Sequence, residues 1–175
     1  SGDTITIPSG ATITNSGTAS GFGGGKIGQV LQAVKTDTFS TTSTSFVDLT
    51  DITIAITPAA SSSKVLIFVS IHAGTANLAY GQIVRDSTPI GIGETSSSRV
   101  SCTIGNFSVA SSNRCNEFTM GYLDSPSTTS ATTYKLQVRH ENGSTSLYVN
   151  RTESDSDSAT GFRPISTITV MEVLA

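Results

Sequence analysis

The sequence predicts an all-β protein: an antiparallel β-sandwich, jelly-roll-like, preceded by a short β-structured shaft segment. Three observations predict it. No stretch repeats its apolar residues at the period of an amphipathic helix. β-branched residues dominate, and their stiff side chains favour the pleated, extended backbone. Short alternating segments, divided by clusters rich in Ser, Thr, Gly and Asn, follow one another from residue 29 to the end.

The elements follow in order. Thr4-Ile-Thr-Ile7 and Thr12-Ile-Thr14 are Thr/Ile alternations offset by eight residues, each closed by a Gly-containing turn. Such strands are too short to bury their own apolar side. They are expected to meet identical copies around an axis, so residues 1–17 read as the end of a trimeric shaft. Residues 18–28 are Gly-rich and read as a linker. Gly23, Gly25 and Gly28 match G-x-G-x-x-G, but no helix follows, so the match carries no dinucleotide site. The head is expected over 29–175.

Within the head, Gln29–Thr36 forms a first strand. Phe46–Leu49 and Ile52–Thr57 form one strand or a broken pair, with Asp48 and Asp51 bracketing a turn. Lys64–His72 is the most apolar strand. Val65, Ile67, Val69 and Ile71 take one face, and Leu66 and Phe68 the other, so both faces are expected to be covered near its start. Tyr80–Asp86, Arg99–Ile104 and Glu117–Leu123 are shorter strands. Thr133–His140 alternates cleanly, with Lys135, Gln137 and Arg139 opposite Tyr134, Leu136 and Val138. Glu141-Asn-Gly-Ser144 is expected to join it to Ser146–Asn150 as a hairpin. Ile165–Leu174 closes the chain, and its two apolar phases imply a bulge or two buried faces.

Composition narrows function. Charged residues make up 13% and the net charge is −3, so the chain carries no basic footprint for nucleic acid. The 28 serines and 27 threonines supply the polar surface instead. No apolar run approaches the roughly 18 residues of a membrane-spanning helix. The start lacks Met and a signal-peptide pattern, and the chain is read as a fragment of something longer. Cys102 and Cys115 are too few for a disulfide scaffold; they read as two small thiols, with a pairing left open. His72 and His140 are not spaced for metal, and no G-x-S-x-G elbow occurs. Glu153, Asp155 and Asp157 lack the pattern of a calcium loop. No cofactor, no metal and no catalytic residue is expected.

Family resemblance adds to this. Asp3-Thr-Ile-Thr-Ile-Pro-Ser-Gly-Ala-Thr-Ile-Thr-Asn-Ser-Gly17 resembles the shaft end of fibre proteins of tailed bacteriophages, especially those infecting marine bacteria. Gln29-Val-Leu-Gln-Ala-Val-Lys-Thr-Asp-Thr-Phe39, Ile54-Ala-Ile-Thr-Pro58, Tyr122-Leu-Asp-Ser-Pro126, Ala131-Thr-Thr-Tyr-Lys-Leu-Gln-Val138 and Ile165-Ser-Thr-Ile-Thr-Val-Met-Glu-Val-Leu-Ala175 resemble the head that follows. The resemblance implies a homotrimeric, non-enzymatic virion protein, made in the bacterial host cytoplasm. Its head would contact a bacterial surface glycan or outer-membrane protein, without nucleic acid and without membrane insertion. The alternative it leaves is a structural capsid-attached or spacer fibre with no receptor. The resemblance assigns no binding residues. The candidate contacts Asn106, Phe107, Arg114, Asn142 and Arg151 are chosen as polar, aromatic or basic residues in expected loops. A glycan-cleaving head would need converging carboxylates in a groove, and the low acidic content disfavours it.

Overall fold

The computed structural model describes Ser9 and residues 26–109 and 111–174. The expected shaft and most of the expected linker lie outside the described residues. The first described strand begins at Ile27, two residues before the expected head boundary.

Eleven strands are present among the described residues: β1 (Ile27–Lys35), β2 (Phe39–Thr41), β3 (Val47–Ile56), β4 (Lys64–Gly74), β5 (Ala79–Arg85), β6 (Thr88–Ile90), β7 (Ile104–Gly105), β8 (Asn116–Asp124), β9 (Thr132–His140), β10 (Leu147–Val149) and β11 (Ser166–Val173). All pair antiparallel, in two sheets. In the first sheet, β4 pairs with β8 along one edge; β11 and β10 share its other edge, and β1 and β2 lie beyond them. In the second sheet, β9 lies between β3 and β5, and β6 and β7 share the outer edge of β5. Counting interrupted strands as one position gives eight positions that wind as a jelly roll. The all-β sandwich expected from the sequence is the fold observed.

The core follows from strand alternation. Val65, Ile67, Val69, Ile71 and Ala73 of β4 are fully buried, as are Ile168 and Val170 of β11. Ile83, Tyr134, Leu136 and Val138 face them from the second sheet and are equally buried. Leu49 and Ile52 are both buried although three positions apart. A bulge makes that possible: pairing to β9 skips from Asp48 to Thr53, and Asp51 adopts a φ of 64°. The turn expected between Asp48 and Asp51 is this bulge inside one strand.

Polar groups tie the two sheets at their edges. The Lys35 ammonium is buried and donates to Asp37 (2.7 Å) and Thr50 (2.9 Å), so β1 is held to the bulge of β3. On the opposite edge, Asp124 at the end of β8 accepts from two residues of the second sheet. Arg85 reaches its two oxygens at 2.9 Å each and Tyr134 donates its hydroxyl at 2.7 Å. Asn150, buried with a φ of 58°, donates to the carbonyls of Lys35 and Asp37 and accepts from Ser166.

Three expectations are corrected. β9 and β10 do not form a hairpin, because they belong to different sheets. The six residues 141–146 carry the chain across the sandwich, and each strand finds longer-range partners in its own sheet. Of Arg99–Ile104 only Ile104 lies in a strand, as the first residue of β7, and Thr88–Ile90, read as loop, pairs with β5. The last strand has no internal register shift against β4. Its two apolar phases face opposite ways, with Ile168 and Val170 inward and Met171 and Val173 half-buried on the outer face. Both cysteines are free thiols, and burial pushes Cys115 up to about 11.

The Asp124 cluster yields a prediction. Tyr134→Phe removes one donor to a buried carboxylate and should cost about 1–3 kcal/mol. Asp124→Ala leaves Arg85 and Tyr134 without their partner and should cost about 3–5 kcal/mol. Urea unfolding followed by circular dichroism checks both values. An Asp124→Ala loss below that of Tyr134→Phe would contradict the bridging role.

Candidate functional site

The two ends of the sandwich differ. Lys26, the 57–63 connection, the 86–87 turn and Leu174 share one end: the Leu174 amide donates to the Lys26 carbonyl and the Ala59 amide donates to Glu172. Lys26 and Leu174 therefore lie side by side at this end. Loops 75–78, 106–115 and 141–146 gather at the other end, where the Glu141 amide donates to the Leu78 carbonyl and the Phe107 amide to the Ala79 carbonyl.

Of the sequence candidates, Asn106, Arg114 and Asn142 are exposed at this loop end. Asn106 has a φ of 61° and caps its own turn by accepting from the Ser108 amide at 2.9 Å. Asn142 accepts from the Ser144 amide (2.9 Å) and hydroxyl (2.7 Å), and Gly143 takes a φ of 72° that a side chain would resist. Arg151 is half-buried. It lies over the Tyr148 ring at 4.6 Å, donates to the carbonyls of Thr152 and Glu153, and is 3.6 Å from Asp155. Its donors hold the 150–165 loop, so its main work is structural. Phe107 is corrected outright. It is fully buried and packs edge-to-face on Phe118, centroids 4.9 Å apart at 80°. An aromatic ring in a loop that folds over the sandwich mouth fills the core rather than facing solvent.

His140 organises the loop end from beneath. Its ring is buried, with Nδ1 accepting from the amides of Gly143 (3.0 Å) and Asn142 (3.3 Å). The proton therefore belongs on Nε2, which lies 3.0 Å from the Thr145 hydroxyl and 3.2 Å from that of Thr75. One neutral imidazole thus pins the 141–146 crossing to the 75–78 loop. Burial lowers its pKa, against an opposing pull from Glu141.

The second feature is the outer face of the first sheet. Val30 (56% exposed), Val34 (43%) and Phe68 (41%) stand on it, with Leu66, Met171 and Leu123 (46%). Register places them side by side: Val30 opposite Met171, Met171 opposite Leu66, Leu66 opposite Leu123. Toward the loop end the same face turns polar, where Ser70 and Thr119 donate to Glu117. The expected cover over Leu66 and Phe68 is not supplied by the described residues of this chain. Val30, Met171, Leu66 and Leu123 form one apolar row with Phe68 beside it, and Val34 stands apart, level with Thr167 and Ser70.

A cleft of about 630 Å³ opens beside the β3 bulge, lined by Asp48, Asp51, Asp86, Ser87, Thr133 and Lys135 among others. Its carboxylates are what a cleaving reading would look to. Asp48 is held below the ordinary carboxylate range by the Lys135 ammonium and the Gln137 amide, so it is an ionised acceptor rather than a proton donor. Among the described residues no group of three or more His, Cys, Asp or Glu is placed to hold a metal, and no helix is long and apolar enough to cross a membrane. No protein-family model matches the chain, and no curated protein matches it.

His140 makes stability depend on pH. Its lowered folded pKa means that the unfolded chain binds the proton more readily. The contribution is complete above about pH 6.5 and is lost as pH falls through that value. The depressed carboxylates of Asp48 and Glu172 act in a lower window, losing their contribution only as pH drops below about 4. The urea midpoint should therefore fall between pH 7.5 and 5.5, and His140→Asn should be weaker at pH 7.5 but flat across that range. An unchanged slope in the variant would contradict the role given to His140.

Proposed function

We propose that the chain is the homotrimeric head of a bacteriophage fibre, with three copies packed through the outer face of the first sheet and their loop ends turned to the host surface. The observation that carries this reading is the apolar patch of Val30, Leu66, Phe68, Leu123 and Met171. It lies in the half of the sheet next to the chain-entry end, where a shaft would hold three copies in register. The polar half of the same sheet and the Asn/Ser/Thr-rich loops lie at the far end. Other copies of the same chain are the occupant that suits the patch, because three such faces set around a threefold axis cover one another, one edge of each meeting the other edge of the next copy in a closed ring. The resemblance of the Thr/Ile repeat and the head segments to phage fibres supports three copies over two.

Asn106, Arg114 and Asn142 remain the receptor contacts on this reading. The turns of Asn106 and Asn142 are fixed by their own side chains, and the Arg114 amide is held by the Ser111 carbonyl, so little ordering is left to bear on binding. Three weak sites on one rigid trimer gain avidity without a tight single site.

Light scattering on the full chain should give the mass of three chains. Phe68→Asp combined with Val30→Asp should give a folded monomer with an unchanged circular dichroism spectrum. A native chain that stays monomeric would overturn the assembly. Fluorescently labelled trimer should bind cells of the bacterium that the parent phage infects, and the Asn106→Ala/Arg114→Ala/Asn142→Ala triple variant should bind at least tenfold less. A stable trimer that binds no such cells would instead fit the spacer-fibre reading.

A further inference from the structure

The outer face of the second sheet carries a side-chain arrangement that neither the fold nor the trimer requires. Its central strand β9 turns Lys135, Gln137 and Arg139 outward, a row about 13 Å long at the rise of a strand. Across the middle of that row runs a hydrogen-bonded ladder over three strands. Gln82 Nε2 donates to Gln137 Oε1 at 2.7 Å, and Gln137 Nε2 donates to Asp48 Oδ1 at 2.7 Å. Lys135 Nζ donates to Asp48 Oδ2 at 2.8 Å. Each amide therefore has a fixed orientation, and each keeps hydrogen-bonding capacity to spare: a second N–H on Gln137 and further lone pairs on Asp48.

At the loop-end limit of the row, Arg139 lies between two rings. Its Cζ is 5.7 Å from the Phe46 centroid and 5.9 Å from the Tyr80 centroid. Its Nε has only a long contact, 3.5 Å, to the His140 carbonyl. The other half-buried arginines of the described residues, Arg85 and Arg151, each face a carboxylate, Asp124 and Asp155. Arg139 faces none among the described residues. A guanidinium that is partly desolvated, held flat by aromatic neighbours and without an internal anion is prepared for a planar anion from outside.

We propose that this face binds a carboxylate-bearing polysaccharide. The Arg139 fork takes a sugar carboxylate, the exposed parts of the Tyr80 and Phe46 rings lie against the pyranose beside it, and the Gln82–Gln137–Asp48 ladder takes ring hydroxyls. The carboxylate is favoured over sulfate because its two coplanar oxygens meet the fork in the plane left between the two rings, whereas sulfate brings a bulkier tetrahedral group to the same fork. A glycan is favoured over an acidic peptide because a row of oriented amides and a carboxylate, flanked by rings, matches neutral hydroxyls spaced along a chain. Cross-strand hydrogen bonds hold Lys135 and Gln137, and the Phe46 and Tyr80 rings flank Arg139, so the site is largely formed in advance. The inference extends the receptor-binding reading to a different face. It stands on the geometry of that face, whether or not the first sheet mediates assembly.

Isothermal titration of the full chain with oligogalacturonate, dextran sulfate and neutral dextran tests it. Oligogalacturonate should bind, and neutral dextran should bind at least tenfold more weakly. Arg139→Lys, which keeps the charge but loses the fork and the stacking, should weaken oligogalacturonate at least tenfold. Gln137→Ala should weaken it too, while Arg163→Ala, at an exposed arginine of the 150–165 loop, should leave it unchanged. Circular dichroism and solution mass, unchanged in the Arg139 variant, would separate this result from misfolding or loss of assembly. Absence of oligogalacturonate binding, equal binding by Arg139→Lys, or equal affinity for dextran sulfate would each overturn the proposal.

Discussion

Strand β4 is apolar on both faces, but the sandwich covers only one of them. Val65, Ile67, Val69 and Ile71 disappear completely between the sheets, while Leu66 and Phe68 on the same strand face outward. Burying a large aliphatic or aromatic side chain contributes on the order of 1.5–3 kcal/mol, so an outward apolar row is a considerable unspent driving force. The neighbouring strands do not offset it with charge. They add Val30, Met171 and Leu123 to the same patch. The assembly proposed for the chain, and hence the direction in which its loops point, follows from that asymmetry.

With so few charged residues, the buried polar groups do the specifying. Lys35 ties one edge of the sandwich, Asp124 with Arg85 and Tyr134 ties the other, and His140 fixes the loops at the far end. At the chain-entry end Glu172 is buried. Burial alone would raise its pKa, but the Ala59 amide and the Gln29 side chain hold it below the ordinary range. Each of these groups joins elements distant in sequence. Uniform apolar packing would leave strand register loosely defined, and these contacts fix it.

The sequence made the sandwich legible because alternation is a local signal. Ile52, Ile54 and Ile56 against Thr53 and Ala55, or Tyr134 against Lys135, can be read without knowing any partner strand. Partnership itself was less visible. Asn142-Gly143 does make a tight turn, stabilised by its own side chain, yet the strands on either side separate into different sheets. The turn residues report local backbone shape, while sheet membership is decided by long-range burial. The three-residue strands β2 and β6 escaped for a similar reason: they are too short to show a period. Phe107 shows the limit at the site. A loop position and an aromatic side chain suggest a surface contact, and only the fold reveals that the loop closes over the core. The outward row of Lys135, Gln137 and Arg139 was visible as alternation. Its meaning depends on Asp48, Phe46 and Tyr80, which other strands bring beside it.

The most direct test is an experimental structure of the assembled head at side-chain resolution. Phe68, Met171 and Val30 should be covered by two symmetry-related copies around a threefold axis, with the loop ends and the Arg139 face left open to solvent. Those side chains lying bare in water, or beneath the same chain's own amino-terminal segment, would rule out the threefold packing.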